Sequence, residues 1–421
     1  MKQAALLVLR LTAYGLLSGV VSGAICSLYL HLLNFAIGQV SGIPFYFLVL
    51  PLVFLFCTWT NKTLLTVKLP DGQGTDHVIH AYNNDAPPSS LVKGPAKALL
   101  SLLTIAAGGS AGKEGPASYL AVVVCTNLAR AAKLDAASTK IILVCGLAAG
   151  FAAVFGAPIA SMLFAIEIMI FWRPQINAAY PALLAALLAV FICRLTGLTY
   201  FHQTLSIAWF SPSLLPAVLT CAIFVGALAC LYLLGMKGLN KLYTKIGGND
   251  YIKALIAGFI VSLCGLLFGT EALGLGDAYF EEMIWLGISA SIVVVLLKIA
   301  LTSLTLNWGG VGGVITPMFF IGITAGSFFG GSIYGTWLAP TFGWETAPHA
   351  FFAAIGLVTT LSVCCKTPLA AIALACEMFG IYPVIYVSIA ALLTCLASAK
   401  VGIFDSQLVF WKKKVIPHLL D

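Results

Sequence analysis

What most limits how this chain can fold is a succession of apolar stretches, many of them too short to cross a bilayer. They run at about residues 4–36, 45–60, 97–110, 117–132, 139–155, 158–172, 178–196, 212–236, 254–269, 282–306, 314–337, 350–365, 368–380 and 382–400. A hydrocarbon core of about 30 Å takes roughly 20 helical residues. Short apolar segments broken by Gly and Pro therefore predict broken or re-entrant helices, which lipid tolerates only where they line a cavity or are buried in protein. With 61% hydrophobic and 9% charged residues, the chain reads as an all-α polytopic membrane protein. A soluble domain would carry about 25% charged residues.

The net charge of +7 does not point to nucleic acid. Its lysines and arginines gather at the edges of apolar segments, at Lys62/Lys68, Arg130/Lys133, Lys237/Lys241/Lys245 and Lys412–Lys414. That distribution follows the positive-inside pattern, and with Lys2 and Arg10 it places both termini in the cytoplasm. The first apolar segment has no clear small-residue cleavage site and is expected to stay in place. The twelve cysteines show no metal-ligand spacing and are expected to pack as small hydrophobes. No Walker A, HExxH, GxSxG or Cys cluster is present, so an enzyme has little support and no cofactor or metal is expected.

An internal repeat is the next signal. Gly146-Leu147, Pro158 and Glu167 recur at the same intervals as Gly356-Leu357, Pro368 and Glu377. Gly108-Gly109, Gly112 and Pro116 match Gly309-Gly310, Gly313 and Pro317. The chain is expected to hold two related halves, 1–205 and 206–421, of inverted topology. Transporters built this way place substrate at the repeat interface, between helix ends. Glu167 and Glu377 close apolar helices in both halves and are expected to act as structural caps or loop partners.

The chemistry concentrates in Gly108–Pro116, which sets a carboxylate between glycines inside an apolar stretch. An ionisable side chain at membrane depth is costly and usually lines a substrate or proton pathway. Bare glycine amides at a helix start, with Pro116 suited to the first turn, make a ready anion site. Burial favours the neutral form of Glu114, while the amides and Lys113 favour the charged one. Gly309–Pro317 is expected to bring N–H groups to the same anion from the other side. Asp71–Asp76 is a weaker glycine-bearing loop between two apolar segments, and His77 and His80 beside it are expected to be ordinary interfacial histidines.

These residues resemble the CLC family of chloride channels and proton-coupled anion exchangers, over about residues 5–410. Gly112-Lys113-Glu114-Gly115-Pro116 looks like the family's G(K/R)EGP motif, and Gly313-Val314-Ile315-Thr316-Pro317 like GxFxP. The resemblance makes Glu114 the gating and proton-transfer glutamate. It also makes Gln73, Gly74, Lys113, Gly115, Val314, Ile315, Thr316 and Phe404 the anion-binding set. Gln73 falls where chloride-selective members carry a serine, and Phe404 where they carry a tyrosine, so two hydroxyl donors are lost. The family's bacterial fluoride-exporting branch also abandons the serine and reads GSAGKEGP and GVxTP, much as here, although it keeps the tyrosine. The inner proton-transfer glutamate of chloride exchangers matches Ile168, as expected of channels and of the fluoride branch.

The resemblance thus implies a proton-coupled anion antiporter of the CLC type, with fluoride favoured over chloride and a passive channel as the other reading. It further implies a homodimer with one pathway per subunit in a bacterial inner membrane.

Overall fold

Nearly all of the apolar stretches fold as helices. The computed structural model describes residues 2–66, 74–85, 90–171 and 173–409. Its helices are α1 (Lys2–Ser41), α2 (Leu50–Thr63), α3 (Gly74–Asn83), α4 (Lys93–Ala106), α5 (Glu114–Ala131), α6 (Ala136–Phe155), α7 (Pro158–Glu167), α8 (Ala179–Leu195) and α9 (Leu215–Ile246). There follow α10 (Asp250–Phe268), α11 (Asp277–Leu286), α12 (Ile292–Asn307), α13 (Ile315–Phe328), α14 (Ala339–Phe342), α15 (His349–Cys365), α16 (Pro368–Phe379) and α17 (Val384–Ala397). A π-helical stretch, Phe329–Leu338, extends α13 towards α14.

Six apolar helical segments among the described residues are long enough to cross a membrane: 5–41, 136–155, 176–195, 212–246, 250–268 and 315–342. Helix α1, with 40 residues, is about 60 Å long, twice the hydrocarbon thickness, so it must tilt or project. Helices α7, α15, α16 and α17 are shorter than a span. The all-α expectation holds with one small addition. Strand β1 (Ile170–Phe171) pairs in parallel with β2 (Leu408–Val409), fastening the segment after α7 to the segment after α17.

Helices α13 and α15 pack backbone to backbone. A Cβ at Gly356 would lie 1.9 Å from the Gly322 carbonyl oxygen, so the approach depends on both residues being glycine. Small residues at such crossings are how bilayer helices associate where lipid removes the hydrophobic drive.

Repeat-related elements meet each other. Helices α7 and α16 both open on proline and both close near a glutamate, and each glutamate caps the other helix. Glu377 accepts from the Ile159 and Ala160 amides at 3.0 and 2.8 Å. Glu167 accepts from the Leu369 and Ala370 amides at 3.3 and 3.1 Å. Both glutamates are therefore caps, as their repeated spacing suggests. A second recurrence joins Lys97 to the Tyr119 ring at 5.3 Å and Lys298 to the Phe320 ring at 4.8 Å. Lys298, fully buried, also donates to the carbonyls of Ala272, Gly274 and Leu275 ahead of α11.

Candidate anion-binding site

Both glycine motifs leave their helices in the same way. After α4, Gly108 takes φ +94° and the Gly109 amide donates to the Thr104 carbonyl; after α12, Gly309 takes φ +131° and the Gly310 amide donates to the Thr305 carbonyl. Positive φ at those positions is open to glycine at no steric cost. The two turns then meet in an antiparallel bridge, with Gly112 N–H donating to the Gly313 carbonyl at 2.8 Å and Gly313 N–H to the Gly112 carbonyl at 2.7 Å. The bridge sets the first residue of α5 beside the first residue of α13.

Glu114 opens α5 with its side chain 1% exposed. Its Oε1 accepts from the Ile315 amide at 2.6 Å, and its Oε2 accepts from the Thr316 hydroxyl at 2.5 Å. A Cβ on residue 313 would lie 2.0 Å from Oε1, so Gly313 leaves the space that the carboxylate fills. The start of α3 reaches the same place, since a Cβ at Gly74 would lie 2.7 Å from the Gly115 carbonyl oxygen. Helix N-termini carry partial positive charge and uncommitted amides, so a buried anionic oxygen is favoured here. A carboxylate and a mobile anion would compete for the same donors.

The other expected site residues divide. Lys113 directs its Nζ to Asp277 at the start of α11, at 2.7 Å, and its charge faces a cavity of about 90 Å³ that Thr316 also lines. Val314 is buried, and its carbonyl accepts from the Tyr232 hydroxyl at 3.4 Å. Phe404 is buried in the segment after α17, which α3 holds through Asp76. That carboxylate accepts from the Ser406 amide and hydroxyl at 3.0 and 3.1 Å. Asp76 also lines a wider cavity of about 450 Å³ with Lys237, Lys241, Asn307 and Asp405. Gln73 lies outside the described residues, as do Asp71 and Gly72. His77 sits on α3 with its ring centroid 6.0 Å from that of Tyr119. Among the described residues no three His, Cys, Asp or Glu side chains converge as metal ligands do.

Sequence reasoning missed the partners Asp277 and Tyr232 and the tether at Asp76. A signal for the first existed. Asp76 and Asp277 stand 201 residues apart, as do Gly112 and Gly313.

Helices that break at membrane depth, with their N-termini gathered on a buried carboxylate, define a multi-pass membrane protein that handles anions. The chain belongs to the voltage gated chloride channel (CLC) family, whose pattern matches residues 52–400. It is 29% identical over 337 residues to an uncharacterised protein of Methanocaldococcus jannaschii, covering 79% of this chain and 80% of that one. A chloride/fluoride channel protein of Pseudomonas syringae pv. tomato is 28% identical over 316 residues, 72% of this chain and 66% of that one. A crystal structure described as a CLC-type fluoride/proton antiporter superposes with a TM-score of 0.83 at 24% identity, over 96% of this chain and 98% of the other. The protein is thus of the CLC type, an anion channel or anion/proton antiporter.

Proposed function

We propose that the chain is a proton-coupled antiporter that exports fluoride in exchange for protons, with Glu114 alternately blocking the anion site and carrying the proton. One observation carries this reading. The Glu114 carboxylate occupies the Ile315 amide and Thr316 hydroxyl, donors that a transported anion would need. Ionised, it satisfies both and excludes the anion; protonated, it is a poorer acceptor, leaves, and frees them. Passage of the anion and protonation of Glu114 are then one event.

Fluoride is small and tightly hydrated, so a dry site must offer it strong, close donors. The charge-bearing helix start with a hydroxyl beside an amide supports that preference. So do the fluoride named for the P. syringae relative and the fluoride/proton exchange named for the superposed structure. The anion-binding set is Gln73, Gly74, Lys113, Gly115, Val314, Ile315, Thr316 and Phe404. Lys113 acts at the cavity mouth, through its charge. We assign the halves to 1–205 and 206–421, supported by the reciprocal caps of α7 and α16. We further assign a homodimer in a bacterial inner membrane with cytoplasmic termini.

A channel reading draws on Ile168, buried and apolar at the end of α7, where exchangers of chloride carry a carboxylate. Liposomes loaded with equal fluoride and chloride test the assignment. Fluoride efflux well ahead of chloride, with proton uptake, is the expected result. Equal rates would return the protein to chloride exchange, and flux of either ion without protons would make it a channel.

A further inference from the structure

Between the Glu114 cradle and Asp277 lies the cavity of about 90 Å³, room for about three waters at about 30 Å³ each. Aromatic side chains wall it, with the Phe155 and Phe319 rings 4.7 Å apart and those of Phe201 and Phe280 5.9 Å apart. Its polar lining is Lys113, Thr199, Tyr200, Asp277, Glu281 and Thr316. Asp277 is engaged by Lys113, whereas Glu281, one turn further along α11, accepts no hydrogen bond among the described residues. At the inner end stands the Thr316 hydroxyl, whose proton already points at Glu114 Oε2.

We propose that Glu281 is the proton port of this antiporter, feeding a short file of cavity water from which the Thr316 hydroxyl passes a proton to Glu114. This rests on the antiport reading above. Glu281 gives up its carboxyl proton to the first water, and each water accepts one proton and releases another. Thr316 Oγ accepts from the last water and releases its own proton to Oε2, forming the Glu114 O–H bond. The Glu281 carboxylate is then recharged by a proton from the aqueous phase, so charge and atoms balance.

The charged groups facing Glu281 are few. Lys113 comes from the start of α5, and Asp277 from its own helix. The Tyr200 hydroxyl, from the segment between α8 and α9, is committed to the Ala153 carbonyl at 3.0 Å. Lys298 of α12 is turned to the carbonyls before α11. Arg194, His202 and Glu377 line an adjoining cavity of about 420 Å³ that shares Tyr200 and Phe201. Burial first, then Asp277, raises the Glu281 carboxyl above the ordinary glutamate value, with Lys113 opposing. A carboxyl shifted that way holds its proton closer to neutral pH, as a proton carrier needs.

The test uses the full chain reconstituted in fluoride-loaded liposomes, recording proton uptake and fluoride efflux together. Glu281→Gln should slow both by at least about a hundredfold, the low end of what a positioned proton carrier contributes. Glu281→Asp, which keeps a carboxyl, should recover most of the rate and guards against a folding failure. Added to Glu114→Gln, which no longer needs protons, Glu281→Gln should bring no further loss. Slowing of equal size in that background, or wild-type coupled rates in Glu281→Gln, would overturn the port. Wild-type efflux without proton uptake would overturn the antiport reading itself, and the port with it.

Discussion

Carboxylates meet helix N-termini in two regions of this molecule, and the two differ in symmetry. At α7 and α16 the arrangement is reciprocal: Glu167 takes the amides of Leu369 and Ala370, and Glu377 takes those of Ile159 and Ala160. At the centre it is one-sided. The residue 201 positions after Glu114 is Ile315, so one half supplies the carboxylate and the other supplies the amide that receives it. Displacing either reciprocal cap strands two amides of the other half's helix, so each half holds the other in place. The one-sided pair leaves donors that a second anion can satisfy. The same local chemistry is therefore structural where both halves repeat it and exchangeable where only one does.

The largest break in that comparison comes from neutralising the one-sided carboxylate. Glu114→Gln should abolish proton movement while anion flux continues ungated, as read by paired proton and anion electrodes on proteoliposomes. Neutralising the reciprocal carboxylates should instead cost stability and leave coupling in place. Glu167 is buried, so Glu167→Ala strands the Leu369 and Ala370 amides and should destabilise the protein by about 1–3 kcal/mol, seen as a lower melting temperature in detergent. Glu377→Ala should cost less, about 0.5–2 kcal/mol as for an N-cap, because Glu377 is only half-buried whereas Glu167 is buried.

The smallest effect belongs to a carboxylate that meets no helix end. Glu345, exposed ahead of α15, accepts from the hydroxyls of Ser213 and Ser211, which together hold its carboxyl below the ordinary glutamate value. A depressed value means a stabilisation present above the usual glutamate range and lost as pH falls through the lowered one. Glu345→Gln should remove that small acid-side slope from melting temperatures measured against pH and change nothing at Glu114.

Much of this was legible in the residues and some was not. Apolar segments too short to span, cut by Gly and Pro, announced broken helices, and the matched intervals at Pro158/Glu167 and Pro368/Glu377 announced two related halves, though not that each glutamate caps the other half's helix. Glu114 stood out because an ionisable group in an apolar stretch needs a reason. The antiparallel sense in which Gly112 meets Gly313 was not legible, since it lives in backbone hydrogen bonds rather than side-chain spacing. Nor was the hold of Asp76 on Ser406, which joins residues 330 apart. The pairing of Ile170–Phe171 with Leu408–Val409 is likewise too short to leave a period of two. The partner of Lys113 could have been sought through the 201-residue offset, but an offset shows equivalence and not which charge faces which.

Coupled exchange requires that Glu114 bind a proton as the anion takes its place. The direct measurement sets an outward fluoride gradient across proteoliposomes at equal pH and records internal pH. Proton uptake driven uphill by fluoride leaving, and its collapse when the fluoride gradient is removed, is the predicted result. Fluoride efflux with no change in internal pH, under a voltage clamped at zero, would contradict it.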